Sequence, residues 1–423
     1  NHLNFCNVHM KGKYSFQYVE DSVFDHCVFD TKDAFWHAKN VVVRNSVVQG
    51  EYLAWYCENV TFENCRIVGT QPLCYCKNLK LIGCEMAGAD LCFERSEVDA
   101  VITTVPHYLH HEIAIYCLEH GMNVLVEKPA GVRAKDVMAM NKCAEEHPDV
   151  AFGIMFNQRT NKLYQKIKEI VASGELGEIR RSNWIINTWW RPDSYYQQSE
   201  WRATWGGEGG GVLVNQAPHQ LDLWQWICGM PSKVVGFASY GKYHDIEVED
   251  DVTAYVEYAN GATGVFITTT GEFPGTNRLE ISGDRGKMIV EDGKIKLWEL
   301  EIPEREFCFS TNQGFSSPPC HYREITDENP GTAHNGILQN FTNAILHSET
   351  LLAPGEEGIN GLTISNAVYL SSWLDAPVTL PIDKELYFEK LKEKIATSRA
   401  KEPMVSEISD LQGTYQTRWD VKF

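Results

Sequence analysis

Lys128 is the first residue whose setting suggests chemistry. It stands between Glu127 and Pro129, directly after the apolar run 123–126, which has the length and composition of a short buried strand. A lysine that follows a buried strand this closely is held in place by its neighbours. We therefore interpret Lys128 as a functional group, with an ordinary surface lysine in a loop as the alternative.

His219 is the second candidate, because an imidazole titrates near neutral pH and can take or give a proton. Pro218 suits the first turn of a helix. Asp222 comes three residues after His219 and shares a helix face with it, so its carboxylate can orient the ring. The alternative for His219 is a structural histidine in a core.

Aromatic and arginine side chains cluster between these two candidates. Aromatic faces suit sugar rings, and guanidinium groups bind carboxylates through two parallel hydrogen bonds. The cluster therefore suits the binding of sugar rings and carboxylates, and an interface between domains or subunits explains it equally well. Its members are Trp189, Trp190, Arg191, Tyr195, Tyr196, Trp201 and Arg202.

The elements that position Lys128 alternate between strand and helix. This order is typical of a doubly wound parallel sheet, in which ligands bind at the carboxyl ends of the strands. The predicted elements are a strand over 98–105, a helix over 110–120 that ends at Gly121, a strand over 123–126 and a helix over 135–147.

Several motifs occur in a fixed order along the chain. They are Val105-Pro-His-Tyr-Leu-His110, Glu127-Lys-Pro129, Ser173-Gly-Glu-Leu-Gly-Glu-Ile179, Trp201-Arg202, Gly209-Gly-Gly211 with Asn215 and His219, Gly355-Glu-Glu-Gly358 and Val378-Thr-Leu-Pro381. In this order they resemble the Gfo/Idh/MocA oxidoreductases from about Val98 to Pro381. The resemblance implies hydride transfer between a sugar or polyol carbon and NAD or NADP.

The resemblance also implies roles for individual residues. It implies that Lys128 binds near the nicotinamide and the reacting oxygen and that His219 is the acid or base. The segments that it places on the cofactor contain Val105, Pro106, His107, His110, Glu127, Lys128, Asn157 and Arg159. Val105 departs from the threonine of the family and removes a hydroxyl donor.

The resemblance also bears on the substrate and on the catalytic pair. Many family members have an aspartate where this chain has Asn215, and an amide cannot accept a proton from the histidine. That difference leaves Lys128 and His219 as the catalytic pair. The positions assigned to the substrate are Trp190, Arg191, Trp201, Arg202, Asn215 and Asp222.

The segment 233–309 alternates between strand and turn. Turn signals at Asn260-Gly261, Gly283-Asp284 and Asp292-Gly293 separate several of the strands, which predicts a large, mostly antiparallel open sheet. In the family this sheet packs against a partner subunit, so we expect a homo-oligomer. The predicted strands are 234–240, 252–258, 263–270, 278–282, 287–290 and 294–300.

The first 95 residues contain a 19-residue repeat. Asparagine recurs at 40, 59 and 78, glycine at 50, 69 and 88, and a small residue at Cys27, Ser46, Cys65 and Cys84. A period near 20 residues with strand-like alternation is typical of a solenoid of short strands. We predict a parallel β-helix with the cysteine and serine positions inward and the asparagines at turns.

Residues 15–97 are also similar to an uncharacterised family of short right-handed β-helix proteins, through phrases such as Gly69-Thr-Gln-Pro-Leu-Cys-Tyr-Cys76. That resemblance implies a fold and no known activity. Two alternatives are a zinc site at Cys74-x-Cys76 and a polysaccharide-cleaving enzyme. The zinc site lacks a second cysteine pair, so we predict no metal. The polysaccharide-cleaving enzyme is disfavoured because the sequence has no repeated acidic group.

A Gly-x-Gly-x-x-Gly turn, which holds the cofactor pyrophosphate in a complete dinucleotide-binding domain, is absent from the sequence. The glycine-rich run 206–211 does not fit the pattern and lies in the other domain. Three explanations are open: a chimeric or misassembled gene, a genuine fusion that lost cofactor binding, or a β-helix inserted into a domain whose first half precedes Asn1. We accordingly expect weak binding of NAD or NADP.

The composition of the chain argues against several classes of partner and against a membrane span. The 423 residues carry a net charge of −19, which argues against duplex nucleic acid or an anionic membrane as the main partner. No apolar run approaches the roughly 18 residues of a membrane span. The odd total of 13 cysteines in a long chain fits reduced thiols, so we expect a cytoplasmic protein.

The predicted fold is mixed. A right-handed parallel β-helix over 1–96 precedes a partial Rossmann-like α/β unit over 97–150. An α+β domain with the open sheet follows over 151–385, and a tail over 386–423. The predicted function is a Gfo/Idh/MocA-type oxidoreductase acting on a sugar or polyol, impaired by the missing turn. The alternative is a non-catalytic carbohydrate-binding or scaffold protein.

Overall fold

The computed structural model describes residues 3–82, 84–87, 92–93, 95–96, 99–326 and 329–399. The chain divides into two compact units after Val101. Within the described ranges, no helix is both long and apolar enough to cross a bilayer.

The N-terminal unit consists of short strands that alternate between two parallel sheets. The strands are β1 (Asn4–Cys6), β2 (His9–Lys13), β3 (Glu20–Asp25), β4 (Val28–Lys32), β5 (Lys39–Arg44), β6 (Val47–Gln49), β7 (Glu58–Glu63), β8 (Arg66–Val68), β9 (Lys77–Ile82) and β10 (Glu85–Ala87). The sheet orders are β1-β3-β5-β7-β9 and β2-β4-β6-β8-β10.

The 19-residue repeat of the sequence corresponds to the register in which neighbouring strands of these sheets pair. Val41 pairs with Val60, and Val60 pairs with Leu79, so partners in neighbouring strands are 19 positions apart. Cys27, Ser46 and Cys65 are buried, as the repeat predicts, and Cys84 is half-buried. The Cys65 thiol lies 3.3 Å from the main-chain oxygen of Val43, so it can donate a hydrogen bond there.

The asparagine positions of the repeat have left-handed backbone conformations, and a glycine position lies too close to a neighbouring coil for a side chain. The amides of Asn40, Asn59 and Asn78 form a ladder, with Nδ2–Oδ1 distances of 3.0 and 2.6 Å. All three have left-handed φ angles, which asparagine tolerates better than most residues. A Cβ on Gly69 would lie 1.9 Å from the oxygen of Gly50, so only glycine fits there. The predicted third glycine, Gly88, lies outside the described residues.

The second unit opens with the predicted alternation of strand and helix. Its elements are β11 (Ala100–Thr103), which crosses the division between the units, α1 (His110–Glu119), β12 (Asn123–Val126), α2 (Ala134–Glu146) and β13 (Phe152–Ile154). The three strands form one sheet in the order β11-β12-β13, and β12 pairs parallel with β13. This is a Rossmann-like arrangement, and Val98, where the first strand is predicted to begin, lies outside the described residues.

The rest of the unit is built on a nine-stranded, mostly antiparallel sheet of order β21-β20-β19-β18-β14-β17-β16-β15-β22. The sequence analysis predicts six of these strands and misses β14, β21 and β22. The ranges are β14 (Ile179–Ile186), β15 (Lys233–Tyr240), β16 (Glu249–Glu257), β17 (Thr263–Thr269), β18 (Asn277–Gly283), β19 (Gly286–Glu291), β20 (Lys294–Leu300), β21 (Cys320–Thr326) and β22 (Val378–Thr379).

Helices of this unit pack on the sheet and on each other. They are α3 (Lys162–Ala172), α4 (Asp193–Gln197), α5 (Val212–Asn215), α6 (Pro218–Cys228), α7 (Glu304–Ser310), α8 (Ala333–His347), α9 (Gly358–Leu374) and α10 (Lys384–Ala396). The predicted tail over 386–423 therefore begins inside α10, and residues 400–423 lie outside the described part.

Helix α6 is fixed to the sheet by Trp224. The indole lies 5.5 Å from the ring of Phe266 on β17, and its Nε1 donates to the hydroxyl of Ser182 on β14 at 3.0 Å. Trp224 and Phe266 are each almost completely buried. Because the large Trp224 ring is enclosed in a close-packed core, α6 has little freedom to move. The first turn of α6, which carries His219, is therefore held in place.

Candidate active site

Lys128 and Asn157 lie at the carboxyl edge of the small parallel sheet. Val126 pairs with Ile154 across β12 and β13, so the segments that follow these two residues leave the sheet side by side. The main-chain N–H of Met155 donates to the oxygen of Val126 at 2.8 Å and continues this pairing. This edge is where ligands bind in open parallel sheets.

The Lys128 side chain crosses to the other half of the unit. Its Nζ donates a hydrogen bond to the main-chain oxygen of Asn215 at 2.8 Å. Asn215 ends α5 and stands four positions before His219. The lysine therefore connects the edge of the parallel sheet to the segment that carries the candidate histidine.

His219 lies close to Lys128 and is half-buried. Its ring packs edge-to-face against Phe156, with 6.4 Å between the ring centres. Its Nδ1 is shielded from solvent and has no hydrogen-bond partner among the residues that the structure covers. Burial, followed by the positive charge of Lys128 and by His334, holds the pKa of His219 well below its usual range. The ring is therefore neutral at neutral pH.

His334, at the start of α8, is a residue that the sequence analysis missed. The Asn157 side-chain nitrogen lies 3.0 and 3.1 Å from the two ring nitrogens of His334. Burial and the charge of Lys128 lower the pKa of this histidine as well. No motif surrounds His334, so only the three-dimensional packing of α8 against the segment after β13 reveals it.

Glu208 is a second residue that the sequence analysis missed. It is 1% exposed, and its carboxylate accepts hydrogen bonds from the Asn215 side-chain amide and, at 2.6 Å, from the main-chain N–H of Ala203. Arg202 lies 3.7 Å from the same carboxylate. Burial raises the pKa of Glu208, and Arg202 and Lys128 oppose that rise. A carboxylate therefore stands beside Asn215, although position 215 itself carries an amide.

Tyr195 connects the predicted arginine cluster to this network. Its hydroxyl accepts a hydrogen bond from Arg202 at 2.7 Å and donates to the Asn215 side-chain oxygen at 3.3 Å. Arg191 and Arg202 both lie over the Tyr195 ring, at 5.1 and 4.6 Å from its centre. Arg202 also lies 4.7 Å from the ring centre of Trp201. Trp190 is 47% exposed and lies against Phe273.

The predicted loop after β11 contacts main-chain atoms around Lys128. The two ring nitrogens of His110 each lie 2.8 Å from a carbonyl oxygen, those of Pro129 and Val105. His107 contacts the main-chain oxygen of Glu208 at 3.1 Å, and burial lowers its pKa to about 3. His110 therefore joins the loop after β11 to the turn at Pro129, and His107 joins that loop to the segment at Glu208.

Two neighbours of Lys128 complete this turn. Pro106 precedes a short 3-10 turn, and Glu127 accepts a hydrogen bond from the Lys128 main-chain N–H at 3.0 Å. Burial raises the pKa of Glu127, and the charge of Lys128 opposes the rise.

Asp222 and Arg159, predicted to bind substrate and cofactor, pair with each other. The Asp222 carboxylate accepts hydrogen bonds from Arg159 at 2.9 and 2.7 Å and one from Gln225 at 3.0 Å, and it does not contact the His219 ring. Both ionic side chains are about 1% exposed. Arg159 donates further to the oxygen of Leu352. Arg159 also lies 2.5 Å from the Glu357 carboxylate, so the guanidinium joins α6 to the segment before α9.

Comparison with known proteins identifies two different regions. Residues 1–110 match a family described as "Protein of unknown function (DUF3737)". Residues 82–154 match "Oxidoreductase family, NAD-binding Rossmann fold", and residues 164–289 match the "GFO/IDH/MocA C-terminal domain". The comparisons support the Gfo/Idh/MocA oxidoreductase family.

Individual relatives from this family agree. Trans-1,2-dihydrobenzene-1,2-diol dehydrogenase of Bos taurus is 26% identical over 54% of this chain and 69% of its own length. A 1-carboxy-3-chloro-3,4-dihydroxycyclohexa-1,5-diene dehydrogenase of Comamonas testosteroni is 30% identical over 40% of this chain, which spans less than half, 42%, of that relative.

A solved structure extends the similarity. The WlbA dehydrogenase from Bordetella pertussis, in complex with NADH and UDP-GlcNAcA, is 26% identical with a TM-score of 0.55. The similarity covers 68% of this chain and 80% of that one. By this resemblance and by the Rossmann match, the cofactor of the family region is NAD or NADP.

The first prediction concerns the buried ion pair. Asp222→Asn is expected to lower the free energy of unfolding by about 1.5–3 kcal/mol, because the buried Arg159 loses one of its two carboxylate partners and keeps Glu357. Urea unfolding followed by tryptophan fluorescence measures this. Glu169→Gln, in an exposed pair with Lys166, is the matched control and is expected to change stability by less than about 0.5 kcal/mol. A small effect of Asp222→Asn together with a shifted His219 titration would restore the role first predicted for Asp222.

The second prediction concerns the charge beside His219. Lys128→Met is expected to raise the pKa of His219, because the cation that disfavours the imidazolium is removed. Lys128→Arg keeps the charge and is expected to keep the pKa low. Histidine NMR titrations of the wild type and both variants measure the shift. An unchanged pKa in Lys128→Met would mean that the two groups do not share one site.

Proposed function

We propose that the second unit is an oxidoreductase that transfers a hydride between a secondary hydroxyl carbon of a sugar or cyclic polyol and NAD or NADP. The observation that carries this proposal is the grouping of Lys128 with His219 and His334 at the carboxyl edge of the parallel strands. A cation stabilises a developing alkoxide, and a neutral imidazole accepts the hydroxyl proton. The named relatives support the same class of reaction.

The nicotinamide end of the cofactor suits the residues at this edge. The side-chain oxygen of Asn157 is buried and lacks a hydrogen-bond partner within the described part of the chain, so it fits a carboxamide N–H donor. Pro106, Glu127 and Lys128 supply the adjoining surface. When bound, NAD or NADP accepts the hydride, and the protein supplies orientation and proton transfer.

Proton handling follows from the charges of the site. As the C–H electron pair leaves the substrate carbon, the O–H bond breaks and its proton passes to the imidazole of His219. The neutral state of His219 makes it an acceptor, and Lys128 stabilises the negative charge on the oxygen. Glu208 reaches this pair through Asn215 and fixes the orientation of the amide.

The substrate wall suits a sugar that carries a carboxylate. Arg191 and Arg202 both lie over Tyr195, and the buried Nε of Arg191 has no partner among the described residues. The Comamonas relative has a carboxylated ring in its name, and the WlbA structure contains a UDP-sugar acid. We therefore include sugar acids, beside neutral polyols, in the proposed substrate class.

We propose two further properties of the chain from the sequence and the sheets. The N-terminal unit is a right-handed parallel β-helix, supported by the 19-residue register of its two parallel sheets. The face of the nine-stranded sheet that carries Asn183, Tyr255 and Val265 is a homo-oligomer contact, supported by its open, mixed apolar and polar lining.

A non-catalytic carbohydrate-binding protein is the second candidate. The missing Gly-x-Gly-x-x-Gly turn favours it, because most cofactor affinity comes from a pyrophosphate held at a helix N-terminus. The aromatic and arginine wall around Tyr195 would serve such a protein equally well.

The third prediction tests catalysis. The purified chain with NAD or NADP at millimolar concentration is expected to oxidise myo-inositol or trans-1,2-cyclohexanediol. Lys128→Met and His219→Ala are each expected to lower kcat/KM by about 10²–10⁴-fold, because each removes a proton-handling or charge-stabilising group. Lys135→Met, on an exposed lysine, is the control. Undiminished turnover in both site variants would contradict the proposed roles.

The fourth prediction separates the two candidate functions. Titration with NADH, followed by nicotinamide fluorescence, is expected to give a dissociation constant beyond millimolar. Losing several charge-assisted hydrogen bonds to the phosphates, at roughly 1.5–3 kcal/mol each, weakens a micromolar site that far. Saturation at micromolar NADH would refute the expected impairment. No measurable binding at any concentration, together with binding of a sugar, would favour the non-catalytic candidate.

A further inference from the structure

Four rings of the N-terminal unit form a column that follows the repeat. Tyr18, His37, Tyr56 and Tyr75 are 19 positions apart. Their neighbouring ring centres are 4.9, 5.0 and 4.6 Å apart, and the ring planes differ by only 8°, 10° and 15°. These steps are close to the spacing of neighbouring strands in a sheet, about 4.8 Å. We call these four residues the aromatic column.

The polar atoms of the aromatic column are free to bind a ligand. Tyr18 is 67% exposed and Tyr56 is 44% exposed, while His37 and Tyr75 are half-buried. Among the residues that the structure describes, the three phenol hydroxyls and the imidazole nitrogens have no hydrogen-bond partner. A phenol hydroxyl both donates and accepts. The column therefore presents a row of open hydrogen-bonding groups at regular steps.

The backbone of the column does not favour tyrosine. Tyr18, Tyr56 and Tyr75 have left-handed φ angles of 56°, 59° and 59°, which are costly for a residue with a large side chain. At other left-handed positions of the repeat, such as Asn40 and Asn59, the chain has asparagine. Ring stacking offsets part of the cost, but phenylalanine would stack as well. The fold therefore does not account for the exposed hydroxyl groups.

Two indoles widen the aromatic surface. Trp36 and Trp55 stack with 5.3 Å between ring centres and 4° between planes. Trp55 lies 6.2 Å from the Tyr56 ring centre and 5.3 Å from that of Tyr75. Each indole N–H donates to a main-chain oxygen, at 2.5 and 2.6 Å, so both rings are held in place. The column and the two indoles form one rigid surface.

The charges beside this surface are balanced. Lys32 pairs with Glu51 at 2.9 Å, and Lys39 pairs with Glu58 at 3.1 Å. These pairs leave little positive charge for an anionic polymer, and the net charge of −19 repels one. The surface therefore suits an uncharged ligand.

We propose that the aromatic column binds a neutral, extended polysaccharide of the β-1,4-glucan type. A surface that repeats at a fixed step suits a partner that also repeats, and a straight column suits a straight chain. Sugar hydroxyls pair with the phenol hydroxyls at successive steps, and the aromatic rings pack against the apolar parts of the sugar. The site belongs to the N-terminal unit and does not depend on the oxidoreductase proposed for the second unit.

The test compares oligosaccharides that differ in length, shape and charge. Isothermal titration calorimetry of the full chain uses cellohexaose, cellobiose, maltohexaose and hexagalacturonate. Cellohexaose is expected to bind at least about tenfold more tightly than cellobiose, because it reaches more steps of the column and forms further hydrogen bonds. The coiled maltohexaose and the anionic hexagalacturonate are each expected to bind more weakly than cellohexaose.

Variants of one column residue test the role of the hydroxyl groups. Tyr56→Phe retains the ring stack and is expected to weaken cellohexaose binding about fivefold, through the loss of one hydrogen bond. Tyr56→Asn suits the left-handed backbone, removes ring and hydroxyl together, and is expected to weaken binding further. Tyr322→Asn, at an exposed tyrosine of the second unit, is the matched control and is expected to bind as wild type.

Several results would overturn the inference. They are an absence of cellohexaose binding, equal affinity for cellobiose and cellohexaose, equal or tighter binding of hexagalacturonate, and wild-type affinity in Tyr56→Phe. Light scattering after size exclusion tests the competing occupant, a second copy of the chain. A dimer that Tyr56→Asn dissociates would assign the column to self-association instead. Failure of the proposed oxidation leaves the inference standing, because each readout here is binding or mass.

Discussion

The hydrogen bond from Lys128 to the main-chain oxygen of Asn215 is the connection on which the candidate site depends. It joins the carboxyl edge of the small parallel sheet to the short helix that precedes His219. The packing of Phe156 on His219 and the Arg159–Asp222 ion pair join the same two parts of the unit. Burial, together with the charge of this ammonium group, lowers the pKa of His219 and of His334, so both rings are held in the neutral state.

The buried Glu249 stabilises the segment that leads to this hydrogen bond. Glu249 accepts hydrogen bonds from the main-chain N–H groups of Gly211 and Leu213, at 2.8 and 2.9 Å, and from the Tyr369 hydroxyl at 2.7 Å. It thereby fixes the segment that ends at Asn215. Burial raises the pKa of Glu249 to about 7, so its charged form is costly and is offset by these three donors. Such groups stabilise one geometry strongly and tolerate little displacement.

Local patterns in the sequence were enough to predict the elements that carry Lys128 and His219. The strand before Lys128, the proline before His219 and the 19-residue repeat are all short-range signals, and the structure has β12, α6 and the repeat register where they indicate. His334 and Glu208 carry no such signal, because their roles arise from contacts with residues far away in the sequence. Asp222 shows the limit of helix spacing. It is three positions from His219, but α6 is buried, and the Arg159 guanidinium is a stronger partner for a buried carboxylate than a neutral ring is.

The two ends of the cofactor make different demands on the chain. The phosphate end supplies affinity, because its charges bind donors that are the same before and during the reaction. The nicotinamide end supplies orientation beside the reacting carbon, and the proposed function assigns that position to Lys128, His219 and Asn157. A chain that lacks the glycine-rich turn but keeps these residues loses the binding energy of the phosphates. That energy contributes equally to the ground state and to the transition state. Such a loss raises KM for the cofactor and leaves the barrier of the bound complex nearly unchanged. If the proposed function is correct, proton handling at Lys128 and His219 is therefore separable from cofactor affinity, and oxidation is expected once the cofactor concentration is high enough.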